Sequence, residues 1–244
     1  MLGHVVWDWN GTLLDDTDLI VACARAVSER FGVRELDRQR WRRIARRPMR
    51  ATYEVLAGRA LTDTEWQGVQ HDWFALYRAG FAQAALAPDA LGALRAVQRR
   101  GLTQSVVSMT PEDQLAPQVE SRGVAIFLSG LAGTNPSARA GSGNSKCAIL
   151  RAHLDGLGLR PSQTVVIGDN PDDAVTARAV GTAAILVPTG DAARSRLAAT
   201  GFPVAANLSA AIAMLDADAA NLMALAAGAG SAGTDGFRDP PLGS

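Results

Sequence analysis

The chain has 244 residues, 48% of them apolar, enough for one ordinary domain with an insertion and too many for a minimal stapled scaffold. Acidic and basic residues number 24 each, so charge gives no case for a nucleic-acid partner or an anionic membrane surface. Cys23 and Cys147 lack metal-ligand spacing, no apolar run approaches membrane-spanning length, and a charged strand end eight residues in leaves no room for a signal peptide; the expectation is a soluble cytoplasmic protein with free thiols.

Val5-Val6-Trp7 is a short β-branched and aromatic run that stops at Asp8, ahead of Asn10-Gly11, which favours a sharp turn. It reads as a buried strand with Asp8 at its carboxyl end, where open α/β sheets bind ligands. Turn and cap residues at 15–18 lead into a helix from Leu19 to Phe31 closed by Gly32, and the pattern then stays helical to about Gln83, with Thr62-Asp63-Thr64-Glu65 as a capping box. About seventy helical residues exceed what a strand-to-strand crossover needs, so residues 17–86 read as an inserted helical cap domain. A helix from Pro88 to Gly101 returns the chain to a second strand at Thr103–Ser108, and Thr110-Pro111-Glu112-Asp113 opens a helix to about Arg122. Apolar residues from Val124 to Leu131 predict a third strand, Asn135–Asn144 a loop, and Lys146 to Leu157 a helix capped by Asn144 or Ser145. A fourth strand at Thr164–Ile167, a helix from Pro171 to Val180 and a fifth strand at Ala183–Val187 follow, then a helix from Ala192, a short strand near Val204 and a helix from Ser209. The alternation specifies an α/β fold, a Rossmann-like parallel sheet with helices on both faces, built from residues 1–16 and 87–218. Residues 219–244, rich in Ala, Gly, Ser and Pro, read as a disordered tail.

Asp8, Ser108, Lys146 and the pair Asp169 and Asp173 in Gly-Asp-Asn-Pro-Asp-Asp lie at strand or helix ends that can converge. Three carboxylates in one crevice repel unless a hard divalent cation sits among them, and oxygen donors suit Mg2+. With a lysine and a hydroxyl facing an anion, the set describes phosphoryl transfer through an aspartyl phosphate. Lys146 is also the only lysine in the chain, against 23 arginines, which marks it for work that a guanidinium cannot do.

In these motifs, Asp8-Trp9-Asn10-Gly11-Thr12, Ser108, Lys146 and Gly168-Asp169 through Asp173, the sequence resembles the haloacid dehalogenase-like hydrolase superfamily over residues 1 to about 215. The similarity is to the helical-cap branch that includes phosphoglycolate phosphatase and β-phosphoglucomutase. The resemblance implies Asp8 as nucleophile and Mg2+ ligand, Ser108 and Lys146 on the phosphoryl group, Asp169, Asp173 and the backbone carbonyl of Asn10 on the metal, and Thr12 and Met109 at the substrate.

Asn10 departs from that pattern, because the family's phosphatases carry Asp there to protonate the leaving oxygen and activate water. An amide cannot exchange that proton, a loss of roughly 10²–10⁴-fold for an alcohol leaving group, with Asp15 and Asp16 the nearest alternatives in sequence. A phosphonoacetaldehyde-cleaving branch also lacks that Asp but needs a second lysine, which this chain does not have. Eight arginines between Arg34 and Arg50 leave two readings open: a solvated helix face, or Arg47 or Arg50 reaching a second anionic group of the substrate. The leading expectation is a Mg2+-dependent phosphatase of a small acidic phosphorylated metabolite. Dehalogenase-type chemistry and a phosphometabolite-binding pseudo-enzyme are the alternatives.

Overall fold

The computed structural model describes residues 2–135, 145–217 and Leu222. Five parallel strands form one sheet in the order β5-β4-β1-β6-β7: β1 (His4–Trp7), β4 (Thr103–Pro111), β5 (Leu131–Thr134), β6 (Thr164–Gly168) and β7 (Ala183–Leu186). The first strand is therefore central, with Trp7 opposite Val106 on one side and Ile167 on the other. Side chains alternate across a strand, and here both faces are covered. Val5, Trp7, Val106 and Ile167 pack against α5 (Ala90–Arg99), α6 (Glu112–Ser121) and α10 (Leu208–Ala217), whereas Val6, Val107 and Val166 pack against α7 (Lys146–Gly156) and α8 (Pro171–Val180). The indoles of Trp7 and Trp9 are fully buried because Gln104 and Gln118 accept their N–H groups, each at 2.9 Å. At the opposite end of β1, His4 is buried between the hydroxyls of Thr103 and Ser105, at 2.7 and 2.8 Å.

The chain leaves this core and returns to it through a two-stranded antiparallel ribbon, β2 (Leu14–Asp15) against β3 (Ala85–Leu86). Between them lie α1 (Thr17–Ser28), α2 (Arg38–Ile44), α3 (Met49–Ala57) and α4 (Asp63–Gly80), which share their own apolar cluster around Trp41, Tyr53, Leu56, Val69 and Tyr77. The Thr62–Glu65 capping box forms at the start of α4. A short helix α9 (Arg194–Ala198) follows β7, and no helix among the described residues is long and apolar enough to cross a membrane.

The expected strand at Val124–Leu131 is a correction. Ala125–Phe127 is a single 3-10 turn, and β5 begins only at Leu131. Val124 and Phe127 satisfy their apolarity by packing into the core from that turn rather than by pairing, and Gly133 allows β5 to press on β4, since a Cβ there would lie 2.3 Å from the Thr110 carbonyl oxygen. All of the expected loop at Asn135–Asn144 after its first residue, and most of the expected tail, lie outside the described residues. Leu222, inside that tail, is buried in the main core.

Candidate active site

The central position of β1 delivers Asp8 to the middle of the sheet's carboxyl end, where its backbone N–H donates to Ile167 of β6 at 2.9 Å. Asp169 leaves the neighbouring strand one residue later. Asp173 is carried back by the first turn of α8, where its Oδ2 accepts the Asn170 N–H at 3.0 Å. Lys146 comes from the first turn of α7, started by Ser145, whose hydroxyl accepts the Ala148 N–H. Its ammonium lies 2.5 Å from Asp8 Oδ1 and 2.6 Å from Asp173 Oδ1. Oxygens of Asp8, Asp169 and Asp173 fall within 4.8 Å of one another, all three residues buried.

This packing depends on missing side chains. A Cβ on Gly190 would sit 2.0 Å from Asp169 Oδ2, and one on Gly168 would sit 2.1 Å from Asp173 Oδ2. Gly11 turns beside Asp169 with φ +75°, a left-handed conformation that glycine adopts without strain. Burial, then the charges of Asp8, Asp173 and Asp191, push the Asp169 carboxyl well above its ordinary range. Burial pulls the Lys146 ammonium down, but Asp173 and Asp8 outweigh it and hold it above its ordinary value. A lone ammonium thus faces more carboxylate charge than it can neutralise.

Asn10 is held by four groups. Its amide nitrogen donates to Asp16 Oδ2 at 2.8 Å and the Tyr77 hydroxyl oxygen at 2.9 Å; its oxygen accepts from Thr110 at 2.7 Å and Ser108 at 3.4 Å. Asp16 also accepts the Tyr77 hydroxyl at 2.6 Å and the Gly11 N–H at 2.9 Å. Burial pushes the Asp16 carboxyl up to about 6, against the lowering effect of the Tyr77 and Asn10 hydrogen bonds. Asp16 does not cap α1 with its side chain, the role its place in the sequence suggests; the carboxylate turns inward to Asn10 instead.

Two adjoining cavities open onto these groups. The smaller, about 90 Å3, is lined by Asp8, Asn10, Ser108, Met109, Lys146 and Asp169. The larger, about 370 Å3, lies between the core and helices α3 and α4, and Asn10, Met109, Arg47 and Asp191 border both. Ser108 and Met109 thus both line the smaller cavity, beside Asp8 and Lys146. Thr12 lines neither cavity: it is fully buried, and its hydroxyl donates to Asp169 Oδ1 at 3.1 Å.

The arginine run has a use that neither expectation named. Arg42 donates to the carbonyls of Gly190 and Thr189 at 2.8 and 3.0 Å, Arg38 donates to Thr189 and Asp15, and the Trp41 indole donates to Asp191 at 2.8 Å. These contacts clamp α2 onto the loop after β7. Arg47 does reach both cavities. Arg50 lines neither, because Glu54 at 3.1 Å and Asp63 at 2.7 Å hold its guanidinium. Sequence reading missed Asp191, Tyr77 and Thr110; the acid of Pro188-Thr189-Gly190-Asp191, just beyond a strand end, is the one with a readable signal.

Among known proteins, the chain is 32% identical to a phosphoglycolate phosphatase of Rhodospirillum rubrum, over 45% of this chain and 44% of that protein, so the match spans less than half of the relative's length. It is 29% identical to a phosphoglycolate phosphatase of Chromobacterium violaceum, over 80% of this chain and 89% of the relative. A solved haloacid dehalogenase-like family protein of Streptococcus pneumoniae shares the fold with a TM-score of 0.74 at 18% identity, covering 88% of this chain and 98% of its own. Residues 5–187 match the haloacid dehalogenase-like hydrolase family, about three quarters of the chain, and the chain belongs to that family.

Proposed function

We propose that the protein is a Mg2+-dependent phosphatase that hydrolyses a small phosphorylated metabolite through an aspartyl phosphate on Asp8. The observation that carries this reading is the convergence of Lys146 with Asp8 and Asp173, 2.5 and 2.6 Å away, beside a third carboxylate, Asp169. The set fits a hard divalent cation: its donors are buried oxygens within 4.8 Å of one another, and one ammonium cannot balance them. Asp8, Asp169, Asp173 and the backbone carbonyl of Asn10 would hold Mg2+, which when bound would neutralise charge on the phosphoryl oxygens.

The chain's own groups supply the rest. An Asp8 carboxylate oxygen attacks phosphorus, the bond to the leaving oxygen breaks, and that oxygen departs with the electron pair. Lys146 and Ser108 hold the non-bridging oxygens. Water then attacks the aspartyl phosphate, breaking the bond between phosphorus and Asp8 and releasing inorganic phosphate. Arg47, bordering both cavities, supports an anionic substrate group as its partner. The carboxylate trio favours this chemistry over dehalogenation, which needs no metal.

Acetyl phosphate and Mg2+ followed by intact-protein mass spectrometry tests the reading. One added phosphoryl group is expected on the wild type and none on Asp8→Asn, which removes the nucleophile and leaves the apolar core untouched. Undiminished turnover by Asp8→Asn would overturn the assignment.

A further inference from the structure

We propose that the substrate's leaving group is aromatic, so that the protein takes an aryl phosphate monoester with its ring in the larger cavity. The inference deepens the phosphatase reading and rests on it. At about 370 Å3 the cavity lies within the usual range for small-molecule sites, roughly 300–1,000 Å3, and holds the space of about a dozen waters, far more than a two-carbon acid fills. Its cap side is a wall of rings from α3 and α4: Tyr53, Trp66, Trp73, Phe74 and Tyr77. Trp73 stacks on Tyr77 with centroids 5.1 Å apart and meets Phe74 edge-on at 5.4 Å, while Trp66 leans on Tyr53 at 5.7 Å. Phe74 remains 46% exposed and Met109, on the facing side, 49%, so large apolar surface is left open at this cavity. Flat rings offer an aromatic guest stacked and edge-to-face contacts.

A second observation points the same way. The leaving oxygen would lie where the two cavities meet, and Asn10, one of the polar side chains that border both, has its amide hydrogens committed to Asp16 and Tyr77. Behind it, both oxygens of Asp16 already accept hydrogen bonds, and Asp191 accepts the Trp41 indole. In the step these residues permit, Asp8 forms its bond to phosphorus, the bond between phosphorus and the aryl oxygen breaks, and the pair leaves on a phenolate that takes its proton from solvent. A phenol, with an ordinary pKa near 10, tolerates such unassisted departure better than an aliphatic alcohol.

The test compares 1-naphthyl phosphate, glucose 6-phosphate and phosphoglycolate as substrates with Mg2+, with acetyl phosphate as a donor too small to use the cavity. The aryl ester is expected to have the highest kcat/KM of the three esters. Trp73→Ala and Phe74→Ala are each expected to lower the ratio of naphthyl to acetyl phosphate kcat/KM about tenfold, the size of one lost aromatic contact. Phe74 is exposed enough for its variant to fold even if Trp73→Ala does not. In addition, 1-naphthol should inhibit competitively, and more weakly in the Phe74 variant. A preference for phosphoglycolate or the sugar phosphate, or an unchanged ratio in both variants, overturns the proposal. If acetyl phosphate phosphorylates Asp8 while the naphthyl ester is ignored, the aromatic assignment alone fails; if Asp8 accepts no phosphoryl group from any donor, the phosphatase reading falls with it.

Discussion

Replacing Asn10 by Asp restores the carboxyl expected at that position, yet the structure predicts a pH-dependent loss of stability. The amide nitrogen of Asn10 sits 2.8 Å from Asp16 Oδ2, so the variant would put two carboxylate oxygens at that spacing in a buried network. Two unit charges there repel by roughly 6 kcal/mol at an effective dielectric of about 20, equivalent to about 4 pKa units. The folded pair therefore keeps a proton past neutrality, whereas in the unfolded chain both carboxyls ionise near pH 4. A raised carboxyl pKa contributes stability below its unfolded value and loses it as pH rises toward the folded value. Between pH 5 and pH 8 Asn10→Asp should lose about 4 kcal/mol. In the wild type Asp16 has its midpoint at about 6, so the matching loss is only about 1–2 kcal/mol. Urea unfolding at pH 5, 6.5 and 8 reads the difference directly. The exchanged double variant Asn10→Asp/Asp16→Asn again pairs one amide with one carboxyl, and should recover most of the stability while placing an exchangeable proton at position 10, with faster turnover of alkyl phosphates. A single variant whose stability follows the wild-type pH profile would refute the Asn10–Asp16 contact and the reasoning built on it.

Lys146→Arg should lower phosphatase kcat at least about tenfold, because a planar fork cannot occupy the gap between Asp8 and Asp173 that a compact ammonium spans; an unchanged rate would remove Lys146 from the site. His4, which burial and then the charge of His153 lower from 6.5 to about 4, stays neutral in the fold while the unfolded chain takes up a proton. Stability should thus fall by about 3 kcal/mol as pH drops from about 6.5 to about 4, and His4→Gln should remove that component from denaturation curves compared at pH 7.5 and 4.5. Thr12→Val, near-isosteric but lacking the hydroxyl on Asp169, should weaken Mg2+ activation while leaving KM for the phosphorylated substrate little changed; a change in KM alone would return Thr12 to the substrate face.

The core of the fold was readable because its signals are local. A β-branched run ending at Asp8, the Thr62–Glu65 box and the glycine closing α8 are each decided by neighbouring residues, and all appear where the periodicity predicts. The segment from Val124 is ambiguous in sequence because apolarity records burial and not conformation: Val124, just ahead of a 3-10 turn, is buried, and Phe127 within the turn packs half-buried against the same core without strand pairing. The carboxylates and Lys146 were legible as strand-end and helix-start chemistry. The partners of Asn10 were not: Tyr77 lies 67 positions away on α4, and no spacing rule ties a helix tyrosine to a turn amide. The arginines are hard to sort for a related reason, since a basic segment looks the same in sequence whether it meets water, a cavity, as at Arg47, or the carbonyls of another loop, as at Arg38 and Arg42.

Having its one lysine at the bottom of the site gives this protein an internal reporter. Every amine-directed reagent that modifies a side chain must do so at Lys146, whose side chain is only 12% exposed and whose ammonium is gripped by two carboxylates. Acylation at Lys146, read on the peptide that carries it so that the terminal amine does not count, should be slow while α2 is clamped to the loop after β7 and should accelerate when α2 lifts from it, so that the label gained at that one residue measures how often the contact opens.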